Sequence, residues 1–134
     1  VILGGMYCFY SLPKSEPAQI FPATVSRDCA PWDGAAFTIA VQHDTGTIIY
    51  ISIWKSPDIP FPSTLELPDE AGQIGNAYIL TELGPYIPLS GEAWFQRVEE
   101  GMPIEGRFRL TSERGEAYEG GFVAEWESRT VYCG

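Results

Sequence analysis

The sequence predicts an all-β chain, an antiparallel β-sandwich of about 7–9 short strands, with a small β-barrel as the second choice. Three observations point there. Alternation of apolar and polar residues dominates, and no long window carries the 3.6-residue period of an amphipathic helix. The apolar runs are short and punctuated by turn formers, with 14 glycines and 11 prolines spread along the chain. Several runs are apolar on one face only, as in two packed sheets. At 134 residues, 45% hydrophobic and 19% charged, residues 1–134 read as a single domain with one core.

Taken in order, "VILGGMYCFYSL" (1–12) is uncharged and mostly apolar. It is too short to span a bilayer and reads as a first strand with a bulge at Gly4-Gly5, or else as the remnant of a signal-peptide apolar region. Met6 and Tyr7 ahead of Cys8 are too large for a lipoprotein acceptor site. "IFPATVS" is a further strand. In "AAFTIAVQ", Phe37, Ile39 and Val41 share a face. "TIIYISIW" sets Ile49, Ile51 and Ile53 against Ile48, Tyr50 and Trp54, the look of a central strand covered on both sides. Residues 56–68 hold Pro57, Pro60, Pro62 and Pro68, and so predict a surface connection. Strands follow at "IGNAYILTE" and "EAWFQRV". The clearest unit is a hairpin. "IEGRFRLT" turns inward Ile104, Phe108 and Leu110, and after "SERGE" the run "YEGGFVAEW" turns inward Phe122, Ala124 and Trp126.

Charge narrows the partners. Eighteen acidic residues against 8 basic leave a net charge of −10. Such a field repels nucleic acid and anionic membrane surfaces, so neither is an expected partner. The three cysteines, Cys8, Cys29 and Cys133, show no C-x-x-C pair, and His43 is the one histidine, so no metal site or cofactor is expected. One disulfide and one spare thiol suit an exported chain. Cys29 with Cys133 is the favoured pair, tying the C-terminal end to the start of the strand pattern, and three reduced thiols are the alternative.

Asp44-Thr45-Gly46 has the local form of an aspartic peptidase motif. That chemistry needs two carboxylates about 3 Å apart sharing a proton, which one such motif supplies only in a symmetric dimer. Gln42 and His43 before the Asp do not resemble the aliphatic strand that carries it in dimeric peptidases, and "YILTELG" is a poor closing strand. Asp, Thr and Gly between two apolar runs form a hairpin turn, with Gly46 available for a positive φ and His43 expected in solvent. No Ser or Cys is placed for activation by a histidine, and no glycine loop leads into a helix to cradle phosphate. Glu125 with Glu127, Glu99 with Glu100 and Asp69 with Glu70 read as solvated acids, and Asp58, Asp69 and Glu70 lack a calcium-loop spacing. No catalytic residues are assigned.

Aromatic side chains are numerous, with 4 Trp, 7 Tyr and 7 Phe. Packing accounts for Phe108, Phe122 and Trp126. Trp32, Trp54, Tyr86 and Trp94 are the candidate ligand-binding residues, since flat exposed aromatics stack sugar rings. The run from Gly106 to Trp126 is similar to the closing hairpin of many small exported bacterial β-sandwich domains. It covers roughly a sixth of the chain, and the resemblance implies a late cysteine, here Cys133, pairing back towards the first strands. The expected function is therefore a non-catalytic, extracytoplasmic domain (periplasmic, secreted or surface-exposed) that binds or assembles. Carbohydrate recognition is the first alternative. Homomeric assembly by an added N-terminal strand is the second, and a dimeric peptidase built on Asp44 comes last.

Overall fold

The computed structural model describes residues 19–29, 35–54, 62–68, 74–81, 86–99 and 101–128. They form eight strands and no helix: β1 (Ile20–Cys29), β2 (Ala35–Asp44), β3 (Thr47–Ile53), β4 (Ser63–Leu67), β5 (Gly75–Ile79), β6 (Ile87–Phe95), β7 (Ile104–Ser112) and β8 (Ala117–Trp126). The all-β class and the strand number follow the sequence expectation. The N-terminal strand expected over residues 1–12 lies outside the described residues.

The sheet closes on itself. Strands β6, β5, β3, β2, β1, β8 and β7 are paired in that order, and β7 pairs back to β6. The molecule is thus the small barrel rather than the two-sheet sandwich. The alternation that suggested a sandwich is equally the pattern of a barrel wall, with one face in and one face out. β1 and β8 run parallel, from Ile20 beside Gly121 to Val25 beside Trp126, whereas the other neighbours are antiparallel.

The eighth strand corrects an expectation. The second half of the proline-rich segment is β4, which pairs with β6 from Ser63 opposite Phe95 to Leu67 opposite Gly91. Its prolines flank the strand: Pro62 precedes it and Pro68 follows. The five residues between keep their N–H groups for the ladder. One edge of β6 is shared, with β5 along Ile87–Leu89 and β4 along Gly91–Phe95. Gly91 sits at the change of partner with φ 148°. A Cβ there would lie 2.1 Å from the Arg109 carbonyl oxygen, so only glycine lets β6 and β7 stay in contact through the bend.

Side chains fill the barrel. Val25, Ile39, Val41, Ile49, Ile51, Ile53, Leu67, Phe95, Ile104, Phe108, Leu110 and Phe122 are fully buried. On β7 and β8 large and small residues face each other in register, Gly106 opposite Phe122 and Phe108 opposite Gly120. The Phe122 ring lies over Gly106, and the Phe21 ring over Gly120. Phe95 meets Phe122 edge-on at 6.1 Å, and Phe37 meets Phe95 edge-on at 6.0 Å. Trp126 is only partly buried and packs against Phe37 at 6.3 Å, with its indole N–H donating to the Met102 carbonyl.

Truncating the central ring tests this packing. Phe122→Ala is expected to cost about 3–5 kcal/mol in denaturant unfolding. Val123→Ala, on the outer face one residue away, is expected to stay within about 0.5 kcal/mol of the parent.

Candidate functional site

With the interior filled, the chemistry lies on the outside. Along β3 and β5 the inward residues are Ile49, Ile51 and Ile53, and Ala77 and Ile79. Alternation therefore turns Tyr50 and Ser52, and Tyr78, outward. Register places Tyr50 directly opposite Tyr78. Their rings stack 5.3 Å apart at 14°, and Tyr86, just ahead of β6, meets Tyr78 edge-on at 5.3 Å. Tyr86 is 54% exposed. The three rings make a corner, two stacked and one nearly upright.

A groove continues from Tyr50. It is lined by Gln42, Ile48, Leu80 and Thr81 together with Thr45 and Gly46 of the β2–β3 turn. Leu80 is exposed, and no acidic or basic side chain is among those lining the groove. The surface offers flat apolar rings, hydroxyls and an amide, without charge.

Beside the tyrosines, a polar row crosses three strands. The Thr38 hydroxyl donates to Asp28 Oδ2 at 2.9 Å and lies 2.9 Å from the Ser52 hydroxyl. The Asp28 carboxylate also accepts the Cys29 N–H at 2.8 Å. Burial pushes the Tyr78 phenol above its ordinary value. Tyr78 is therefore a protonated phenol at neutral pH.

The Asp-Thr-Gly stretch is a hairpin turn. Asp44 is opposite Thr47, and the Asp44 Oδ1 accepts the Gly46 N–H at 3.0 Å. This side-chain bond holds the turn, and Gly46 does not enter the left-handed region for which it was expected. The Asp44 carboxylate is largely exposed, and its pKa is held below the ordinary value, first by the Gly46 N–H and then by Thr47.

His43 is not the solvated tip residue that the sequence suggests. A bulge between Gln42 and Asp44 takes it out of the ladder. Its ring packs against Phe21 at 4.8 Å and Tyr118 at 5.4 Å, leaving the side chain 23% exposed. Its Nδ1 has no hydrogen-bond partner and lies 3.7 Å from Asp44 Oδ2.

The four aromatic residues singled out from sequence do not form one site. Trp94 is 8% exposed, with the Arg107 guanidinium 5.1 Å over its ring. Tyr86 and Trp94 are eight residues apart along β6, about 26 Å at strand rise. Trp54 is half-buried, and its backbone N–H donates to the Ile74 carbonyl. Trp32 and Cys133 lie outside the described residues, whereas Cys29 ends β1. Of the four, Tyr86 belongs to the tyrosine surface. Tyr50 and Tyr78 were missed because their pairing depends on the β3–β5 register, although both occupy outward positions in the alternation. Among the described residues no group of three His, Cys, Asp or Glu could hold a metal ion. Comparison with protein families, curated proteins and solved structures found no match to this chain.

Asp44→Ala removes the acceptor that holds the turn. Because the folded pKa of Asp44 lies below its unfolded value, the carboxylate's contribution is complete above the ordinary aspartate value, about 4. It is lost as pH falls through the folded pKa. Melting curves of parent and variant between neutral and acid pH are expected to differ at pH 6 and to converge in acid.

Proposed function

We propose that this barrel is a non-catalytic domain that binds carbohydrate through the tyrosine surface of β3 and β5, and that it works outside the cytoplasm. The observation that carries this reading is the corner of Tyr50, Tyr78 and Tyr86 opening onto an uncharged groove. Sugar rings present apolar C–H faces to aromatic rings and hydroxyls to amides and hydroxyls, and both kinds of group are present here. Asp44 serves the turn, which supports a binding role over a peptidase.

Two features support an aqueous, oxidising setting. The barrel is apolar inside and carries Glu66, Arg109, Glu119 and Glu125 among its exposed residues, the reverse of a lipid-facing barrel. β1 and β8 run parallel, so the chain leaves Trp126 towards the end of the barrel where Cys29 sits. Cys29 is four residues past Val25, and Cys133 is seven past its partner Trp126, a span that favours the Cys29–Cys133 bridge. Homomeric assembly is the second reading. Among the described strands the outer edge of β4 is unpaired, and it is an acceptor for an added strand.

An oligosaccharide array followed by calorimetric titration tests the binding role. Tyr50→Ala and Tyr86→Ala are each expected to weaken binding about tenfold, with Val123→Ala unchanged. Parent protein that binds no glycan sinks the proposal. Alkylation under denaturing, non-reducing conditions is expected to label one of the three cysteines, and labelling of all three would place the chain in a reducing compartment.

A further inference from the structure

The stacked pair of Tyr50 and Tyr78 has an inner and an outer side, and the sheet register says where each outer face looks. The ring centroids are 5.3 Å apart at 14°. Rings lying side by side in one plane would need more than about 6 Å, so these two oppose face to face. The remaining face of Tyr78 looks towards β6, where Tyr86 stands against it at 5.3 Å and 62°. The remaining face of Tyr50 looks the other way, towards β2, where its register partner is Ala40. Among the described residues no second ring meets Tyr50. A barrel wall is convex outside, so outward side chains on neighbouring strands splay apart. The tyrosines keep contact by leaning together, and Tyr50 therefore leans away from Ala40. Beyond Ala40 the next outward residue is the exposed Thr24 of β1. It is two strand spacings from Tyr50, about 9.6 Å, and only the Ala40 methyl stands between them. That width admits a pyranose ring packed about 4 Å from the Tyr50 face.

Gln42 and Thr38 share the outward face of β2 with Ala40, one at each end of this gap. Thr38 has given its proton to Asp28, and its oxygen lies against Ser52. The Gln42 amide nitrogen donates to the Asp44 carbonyl oxygen. A carbonyl only accepts, so nitrogen must be the atom that faces it, and Gln42 Oε1 is left to accept a hydroxyl. The groove then joins this end to the other. Gln42 is opposite Ile48, and Ile48 adjoins Leu80 because Ile49 is opposite Ile79. This row passes beside the tyrosine pair from β2 to β5. We propose that the β2-facing side of Tyr50, over Ala40, is a sugar subsite in which Gln42 Oε1 accepts a hydroxyl, and that the ligand is a chain of sugars running from there through the groove to Tyr86. The inference rests on the carbohydrate reading of the tyrosine surface and adds the length of the ligand. The stacked tyrosines separate the two ends, so one sugar ring does not touch both. Ala40 decides entry, because a larger side chain there takes the place of the sugar against Tyr50.

Two measurements on the full chain decide the matter, with methyl β-glucoside and cellotetraose as probes. Both carry their hydroxyls equatorially and so present C–H groups on the ring faces to an aromatic. In calorimetric titration the parent is expected to bind cellotetraose about tenfold or more tightly than the single sugar. Ala40→Leu is expected to narrow that ratio to about threefold or less, and Ala40→Ser to leave it within about twofold of the parent. Gln42→Ala is expected to weaken cellotetraose about fivefold. The second measurement needs no variant. With the parent protein, a nuclear Overhauser effect is expected between cellotetraose ring protons and the Ala40 methyl. Absence of that signal with cellotetraose bound overturns the subsite and leaves the carbohydrate reading in place. So does cellotetraose binding that Tyr50→Ala and Tyr86→Ala weaken but Ala40→Leu does not. If the parent binds neither probe, the subsite and the carbohydrate reading fall together.

Discussion

The parallel ladder between β1 and β8 is the constraint on which the rest of the structure depends. Without it the wall would open along two edges, and each would expose a row of unpaired backbone groups. The pairing runs from Ile20 beside Gly121 to Val25 beside Trp126, and it is continued by Gly121 N–H to the Gln19 carbonyl and Glu127 N–H to the Val25 carbonyl, both at 2.8 Å. These strands are far apart in sequence, so the loop between them must be closed before the ladder repays that cost. Closure also gives Phe21 and Val25 an interior to face, because the residues opposite them arrive only when the cylinder is complete.

A closed wall this small must be filled by its own side chains, and the filling explains the glycines of β7 and β8. A cylinder lined by phenylalanine at every inward position would be overpacked. Gly106 opposite Phe122 and Gly120 opposite Phe108 alternate large with small across the ladder, and each glycine leaves room for a ring. Among the described residues the interior is thus filled by side chains, and the residues left to face outward are those on the other side of the alternation, such as Tyr50 and Tyr78.

Much of this was legible in the sequence and some was not, for physical reasons. Inward faces such as Phe37, Ile39 and Val41, and Ile104, Phe108 and Leu110, follow from alternation, which depends only on strand geometry. The β7–β8 hairpin and the Asp44 turn follow from local turn chemistry, in which Ser112 and Asp44 accept backbone N–H groups of their own turns. Barrel and sandwich share the same alternation, so closure is a matter of which distant strands meet. β4 was hidden because its flanking prolines argue against a strand while the five residues between them obey strand rules. The inward packing of His43 depends on a one-residue bulge, and the Tyr50–Tyr78 stack on register. Local chemistry is written in the residues, whereas partner choice is a property of the whole sheet.

The outer face carries a packing requirement of its own. Ser52 points outward from β3 yet is almost fully buried, so its hydroxyl must be bonded within the protein. Thr38, directly opposite on β2, meets that need. Two neutral hydroxyls alone could bond in either direction. Ending the row on the Asp28 carboxylate removes the ambiguity, because an ion that only accepts takes the Thr38 proton and leaves the Thr38 oxygen to accept from Ser52. A buried serine on β3 is therefore satisfied through a charge held on β1, and its hydrogen bonding depends on the registers of β1 with β2 and of β2 with β3.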